Sequence, residues 1–332
     1  MGSIKENYKF NRYEYNLLGK NVFEASMERI GIIHDLFDDI VISFSGGKDS
    51  LVCLKLFELY RIAHNIKDKL KVLFYDEELV DSEVLKFVKK FYDSKKYDFY
   101  WICTPLESEK FILGKKERYI QWDPNRPHVR EIPEWGLKFD GVRYQDKAHE
   151  VVTNNMTGKV ANIVGLRADE SMNRRMGIFA TKNVYPFMNS EERNVTMCKP
   201  IYDWSEKDIF KFMYDYGIEY AHSYDNQIFN GDRLRVSTPL HAEASRTALL
   251  SMKSRDPILY DQVCAVFPEV ELQVRYYGDI KASTFDYSKY QKSWNGVIKF
   301  VRDVVSDELQ EDVVGKVMYA KSYRDKNIDK RP

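Results

Sequence analysis

The sequence carries no excess charge: 51 lysines and arginines stand against 51 aspartates and glutamates in 332 residues. That balance excludes a chain-wide positive field of the kind that gathers nucleic acid or anionic membrane, so any polyanion contact must be built locally. Cysteine is scarce. Cys53, Cys103, Cys198 and Cys264 form no CxxC and no metal-ligand spacing, which excludes a disulfide framework and a zinc site. Long apolar runs are missing too. No stretch approaches the roughly 18 residues that span a bilayer, and the opening MGSIKENYKF has no apolar core of a signal peptide. The expectation is a cytoplasmic protein that touches no membrane. Internal repeats and low-complexity tracts are also absent.

What is present is the composition of a globular enzyme, 44% apolar and 31% charged. The length suggests about two domains, or one large domain with an appendage. Residues 22–37 space apolar positions at three and four, as in an amphipathic helix. DDIVISFS then predicts a buried strand ending near Ser45, and Leu51 to Ala63 returns to helical periodicity. A strand at 71–76, a helix at 81–93 and a strand at 97–103 continue the alternation. Such βαβ units imply a doubly wound, mostly parallel α/β sheet with right-handed crossovers. Residues 104–141 interrupt it with Pro105, Pro124, Pro127 and Pro133, and so many prolines suggest a lid or a disordered insertion. A helix around 142–156 and a strand around 160–166 resume the pattern. Ser205 and Asp208 form a capping box for a further helix, and residues 240–332 look mostly helical. The domain division read from this is a helical lead-in at 1–38, a nucleotide-binding domain at 39–204 with the insertion 104–141, and a mostly helical region at 205–332.

The segment Ser43-Phe44-Ser45-Gly46-Gly47-Lys48-Asp49-Ser50 sits where the first strand runs into a helix, the place at which open α/β sheets bind ligands. Two glycines let the backbone present successive N–H groups, and the helix N-terminus favours an anion. Lys48, Ser45 and Ser50 add donors. The spacing differs from the GxxxxGK[ST] loop of ordinary NTPases. SGGKDS instead resembles the pyrophosphate loop of the adenine nucleotide alpha hydrolase superfamily, whose members cleave ATP between the α- and β-phosphates. Gly165-Leu166-Arg167-Ala168-Asp169-Glu170-Ser171, with Arg174 and Arg175 behind it, resembles the G-[IL]-R-x-[DE]-x-S-x-x-R segment of phosphoadenosine phosphosulfate (PAPS) reductase-like proteins. Lys199-Pro200-Ile201-Tyr202-Asp203-Trp204 is similar to the P-[IL]-x-D-W stretch of the same group. Trp122-Asp123-Pro124 with Val129-Arg130, and Arg235-Val236-Ser237-Thr238-Pro239, resemble segments of its phage and mobile-element branch. The reductases' C-terminal Glu-Cys-Gly-x-His nucleophile segment has no counterpart here.

The resemblance implies a nucleotide, ATP or PAPS, with Mg²⁺ bridging its phosphates on Ser45, Gly46, Gly47 and Ser50. Lys48 and one of Arg167 or Arg174 then stabilise charge on the α-phosphate and departing pyrophosphate, and Asp49 orients Lys48 or a metal-bound water. Ser43, Gly165 and Arg175 complete the nucleotide contacts, and Asp76 with Phe74 is assigned to adenosine. No protein-borne metal site is expected. Trp204 reads as a core anchor, and Asp203 as an aid to the cap of the following helix. Cys198, beside Lys199, is the best reactive thiol of the four, yet none is expected to react. Arg233, Arg235, His241 and Arg246 could extend the anion-binding surface toward a larger partner. Three functions stay open: adenylation of an acceptor such as a nucleic acid or a sulfur compound, a PAPS-dependent reductase or sulfotransferase using an external thiol, and a nucleotide-binding module without turnover. The branch also implies a ParB-like protein partner.

Overall fold

The computed structural model describes residues 20–113, 115–144, 147–180, 183, 185–189, 192–230, 234–236, 238–241, 245–276 and 287–327. The chain falls into two compact units, one up to Tyr276 and one from Tyr277. In the first, helix α1 (Val22–Leu36) opens on an Asn21–Glu24 capping box and leads into β1 (Asp39–Ser43). Then come α2 (Lys48–Ala63), β2 (Lys71–Tyr75), α3 (Ser82–Asp93) and β3 (Asp98–Ile102). After the insertion follow α4 (Glu150–Thr153), β7 (Val160–Ile163), α5 (Met172–Ile178) and β8 (Val195–Cys198).

The five strands form one parallel sheet in the order β3-β2-β1-β7-β8. The chain winds outward from β1 through β2 to β3, then returns to β7 on the other edge of β1. Strand order therefore reverses between β1 and β7, and the loops after these two strands open the crevice in which such sheets hold ligands. Period-two alternation separates the faces. Ile42, Phe44, Val72 and Phe74 enter the main core with α1, α2 and α3, while Val41, Leu73, Ile102 and Val160 pack with Val151 and Val152 of α4 on the other side. The doubly wound α/β architecture expected from the sequence is the one observed.

The insertion departs from expectation. It is neither an irregular lid nor a structureless stretch: β4 (Leu106–Ile112) and β5 (Lys115–Gln121) form an antiparallel pair in the register Leu106↔Gln121 to Ile112↔Lys115. The short β6 (Arg143–Tyr144) adds in parallel to β4, so the helix expected over 142–156 is confined to α4. The hairpin has a core of its own. Ile112 and Tyr119 pack with Leu240 and with Leu249, Met252, Leu259, Val263, Phe267 and Val270. These come from α8 (Ser245–Arg255), α9 (Pro257–Val266) and α10 (Glu269–Arg275), which were counted with the C-terminal region. Because strands and helices share this core, α8 to α10 belong with the first compact unit, which runs to Tyr276.

Between β8 and α8 lie α6 (Glu206–Asp215), opened by the expected Ser205–Asp208 capping box, and α7 (Ser223–Asn230). Trp204 is a core anchor, its Nε1 donating to Ser26 Oγ at 2.9 Å. Asp203 does not assist the cap; Arg29 holds its two carboxylate oxygens at 2.7 and 2.6 Å and so ties α1 to the segment before α6. In the second unit, α11 (Trp294–Val304) and α12 (Asp307–Asn327) are helical as expected. Among the described residues no helix is long and apolar enough to cross a membrane.

Candidate functional site

The loop after β1 is shaped by its glycines. Gly46 has φ +74°, and a Cβ there would lie 2.7 Å from Val88 and 2.8 Å from Val84 of α3, so both conformation and space require glycine. Gly47 is the N-cap of α2 and has no side chain to cap it. The first amides of the turn rest instead on hydroxyls. Ser45 N donates to Ser50 Oγ at 3.1 Å, Gly47 N to Ser45 Oγ at 3.3 Å, and Lys48 N to Tyr224 OH at 2.8 Å. Hydroxyl acceptors are exchangeable partners, and a phosphate oxygen is a stronger one for the same N–H groups.

A cavity of about 190 Å³ lies over this turn, lined by Ser43, Ser45, Gly47, Lys48, Asp49 and Ser50 from the loop and helix start, by Gly165, Leu166, Glu170 and Arg174 from beyond β7, and by Tyr224, Leu234, Arg235 and Val236. Nine of the residues proposed from sequence, Arg235 among them, thus line one cavity. Ser43 is fixed by its hydroxyl, which donates to Asn162 Oδ1 at 2.7 Å. Gly165 permits the meeting of the two loops, since a Cβ there would sit 2.7 Å from Asp49 C and Ser50 N.

Lys48 is buried, its ammonium 2.9 Å from the Leu234 carbonyl, 3.3 Å from Asp49 and 3.4 Å from Glu206. One carboxylate oxygen of Asp49 thus accepts from Lys48. Its other oxygen accepts from Arg167 Nε at 2.6 Å. Arg167 is buried and absent from the cavity's lining, which it meets only through this bond to Asp49. Arg174 lines the cavity, paired with Glu170. Arg175 is exposed and outside the lining.

Gly46 packs on α3 behind the turn. Phe74 and Asp76 are buried away from the cavity. Phe74 meets the edge of Trp101, and Asp76 accepts from Trp101 Nε1 at 2.9 Å, from Glu78 N at 3.1 Å and from Arg130. Burial raises the Asp76 carboxyl above the ordinary carboxylate range although Arg130 opposes it. Next to it Glu78 takes Arg126 through both oxygens, at 2.8 and 2.7 Å, together with Val129 N at 2.8 Å. Asp76 and Glu78 thus bind the WDP segment of the insertion to the end of β2.

Arg233 and Ser237 lie outside the described residues, as does the side chain of Arg246. His241 belongs to the hairpin region, where it meets Ser108 Oγ at 2.8 Å and bridges the backbone of Lys110. Sequence reasoning missed Tyr224, Leu234, Glu170 and Glu206. Only Glu170, inside GLRADES, had a local signal.

No cysteine lines the cavity. Cys53, Cys103 and Cys198 are buried, and burial pushes the Cys198 thiol up to about 12 and those of Cys53 and Cys103 further still. Half-buried Cys264 is also raised by desolvation. Nor do these residues fit a resident metal ion. The described residues contain no cluster of three or more metal-ligating side chains, and Asp49 is engaged by two cations.

Among curated proteins, YbdN of Escherichia coli (strain K12), an uncharacterized protein, is 28% identical over 209 residues, covering 57% of this chain and 51% of its own. The uncharacterized MJ0973 of Methanocaldococcus jannaschii is 27% identical over 223 residues, covering 66% and 45%. The chain spans about half the length of these relatives. Solved structures with some likeness include FMN adenylyltransferase of Candida glabrata with FAD and inorganic pyrophosphate, at 15% identity and TM-score 0.40 over 61% of this chain and 59% of that one. PAPS reductase of Candida auris gives 12% and 0.35 over 65% and 92%. A family model, the phosphoadenosine phosphosulfate reductase domain, matches residues 39–263, from β1 through the crevice and into α9. The chain belongs to the phosphoadenosine phosphosulfate reductase domain family.

Proposed function

We propose that this protein binds ATP over the Gly46–Gly47 turn, cleaves the bond between the α- and β-phosphates and transfers adenylate to an acceptor. The observation that carries the reading is the donor set at the strand-order reversal. Lys48, Arg174, Arg235 and a helix N-terminus surround one cavity that no cysteine reaches. In the step proposed, a nucleophilic atom of the acceptor attacks the α-phosphorus, the bridging P–O bond breaks, and pyrophosphate leaves with its electron pair while the acceptor's proton passes to solvent. The protein's contribution is placement and charge. Lys48, oriented by Asp49 and through it by Arg167, meets negative charge growing on the leaving group.

A reduction of PAPS is the second reading, supported by the family's name and opposed by the buried, raised thiols; it requires an external thiol. Calorimetric titration with Mg–ATP and with PAPS separates the two, because a 3′-phosphate demands its own cationic grip. The adenylation reading expects tighter ATP binding, and Lys48→Ala weakened about 10- to 100-fold through loss of a charged hydrogen bond. Pyrophosphate release on addition of candidate acceptors, nucleic acids and small sulfur compounds first, checks turnover. A parent protein that binds no ATP would overturn the proposal.

A further inference from the structure

The two donors of Lys48 that meet phosphate in the nucleotide reading, its amide and its ammonium, are held by Tyr224 OH and the Leu234 carbonyl. Both acceptors come from the stretch formed by α7 and residues 234–236. One side chain joins the parts of that stretch. Gln227, one helical turn after Tyr224, accepts from Arg235 N at 2.9 Å and donates to Arg235 O at 2.9 Å. The buried amide takes up both backbone groups of Arg235 as a neighbouring strand would. It thereby fixes the register of Leu234, Arg235 and Val236 along the cavity they line.

We propose that Gln227 is a positioning residue of the phosphate site: it sets Arg235 beside Lys48 and Arg174, so that the three cations close around a pyrophosphate group. The inference rests on the nucleotide reading and adds a second wall to it. Tyr224 OH and the Leu234 carbonyl occupy the Lys48 donors until phosphate oxygens replace them, and Gln227 keeps the wall in place through that exchange. An amide is the group the geometry selects, since it accepts and donates in one plane. A carboxylate matches it only when protonated.

The experiment is calorimetric titration of the full chain with inorganic pyrophosphate at pH 8 and pH 5, for the parent, Gln227→Leu and Gln227→Glu, with thermal melting of each. Gln227→Leu is expected to weaken binding about tenfold at both pH values, as loss of one well-placed charged contact does. Gln227→Glu is expected to bind weakly at pH 8, where its carboxylate faces the Arg235 carbonyl, and to approach the parent at pH 5, where a carboxyl raised by burial and by that carbonyl takes up a proton and restores the second hydrogen bond. A general loss of structure would not return on acidification. Parent-like binding by both variants, or a Gln227→Glu deficit that persists at pH 5, overturns the inference and leaves the nucleotide reading standing. A parent chain that binds no pyrophosphate overturns both.

Discussion

Lys199 shows how burial alone changes a side chain's behaviour. It follows β8, is buried, and gives its ammonium to Asn189 Oδ1. Desolvation, partly offset by Cys198, brings its pKa from 10.5 down to about 8. Between these values the unfolded chain holds a proton that the native state has released, so through this group stability rises with pH from about 8 to about 10.5. Below pH 8 both states are protonated and the native state carries the cost of burying a charge. Lys199→Met removes the titration. Urea unfolding at pH 7, 8, 9 and 10 should show the parent gaining on this variant as pH rises, by about 1.4 kcal/mol for each pH unit inside the window at most. Parallel curves would mean that Lys199 titrates normally.

At the scale of elements, the crevice depends on how closely the end of β7 approaches the start of α2. Gly165→Ala places a methyl group 2.7 Å from the backbone of Asp49 and Ser50, where no flexible side chain can yield. The two loops must separate, at a cost of about 1–3 kcal/mol. Because the displaced atoms are those that present Lys48 and Ser50, ATP affinity measured by titration should fall about tenfold or more, with the far-UV spectrum unchanged at 25 °C. Affinity equal to that of the parent would show that the approach of these loops does not set the site. The βαβ elements were legible because β1 is a short β-branched run, β2 a short apolar one, and α3 carries a clear apolar stripe. The β4–β5 pair was not. Leu106, Ser108 and Ile112 share a buried face, but Ser108 and Lys110 break its apolar pattern, and partners such as Leu240, Leu249 and Val263 lie more than 120 residues further along the chain. The phosphate loop could be read from its local chemistry. Of the wall carrying Tyr224, Gln227 and Arg235, only Arg235 could, since tertiary packing alone brings α7 to the start of α2. For the same reason only the fold reveals Arg130 and Trp101 around Asp76 at the end of β2.

At the scale of the whole molecule, every residue lining the cavity and all three buried clusters lie before Tyr277. The unit beyond holds itself together by other means. Tyr290 OH donates to Asp303 at 2.9 Å, the Arg324 guanidinium lies 5.9 Å from the centroid of Trp294, and α11 and α12 pack on each other. Two helices with little buried apolar surface are a marginal fold alone, whereas the first unit has three clusters to stabilise it. A chain ended after Tyr276 should therefore keep a cooperative thermal transition and bind ATP within about twofold of the full chain, since no donor proposed for phosphate is removed. Pyrophosphate release in the presence of an acceptor gives the sharper comparison. If truncation spares ATP binding but abolishes turnover, the last two helices contribute to the acceptor rather than to the nucleotide; if it spares both, the catalytic unit is the first 276 residues. Loss of ATP binding together with the thermal transition would show instead that the first unit depends on the second for its folding.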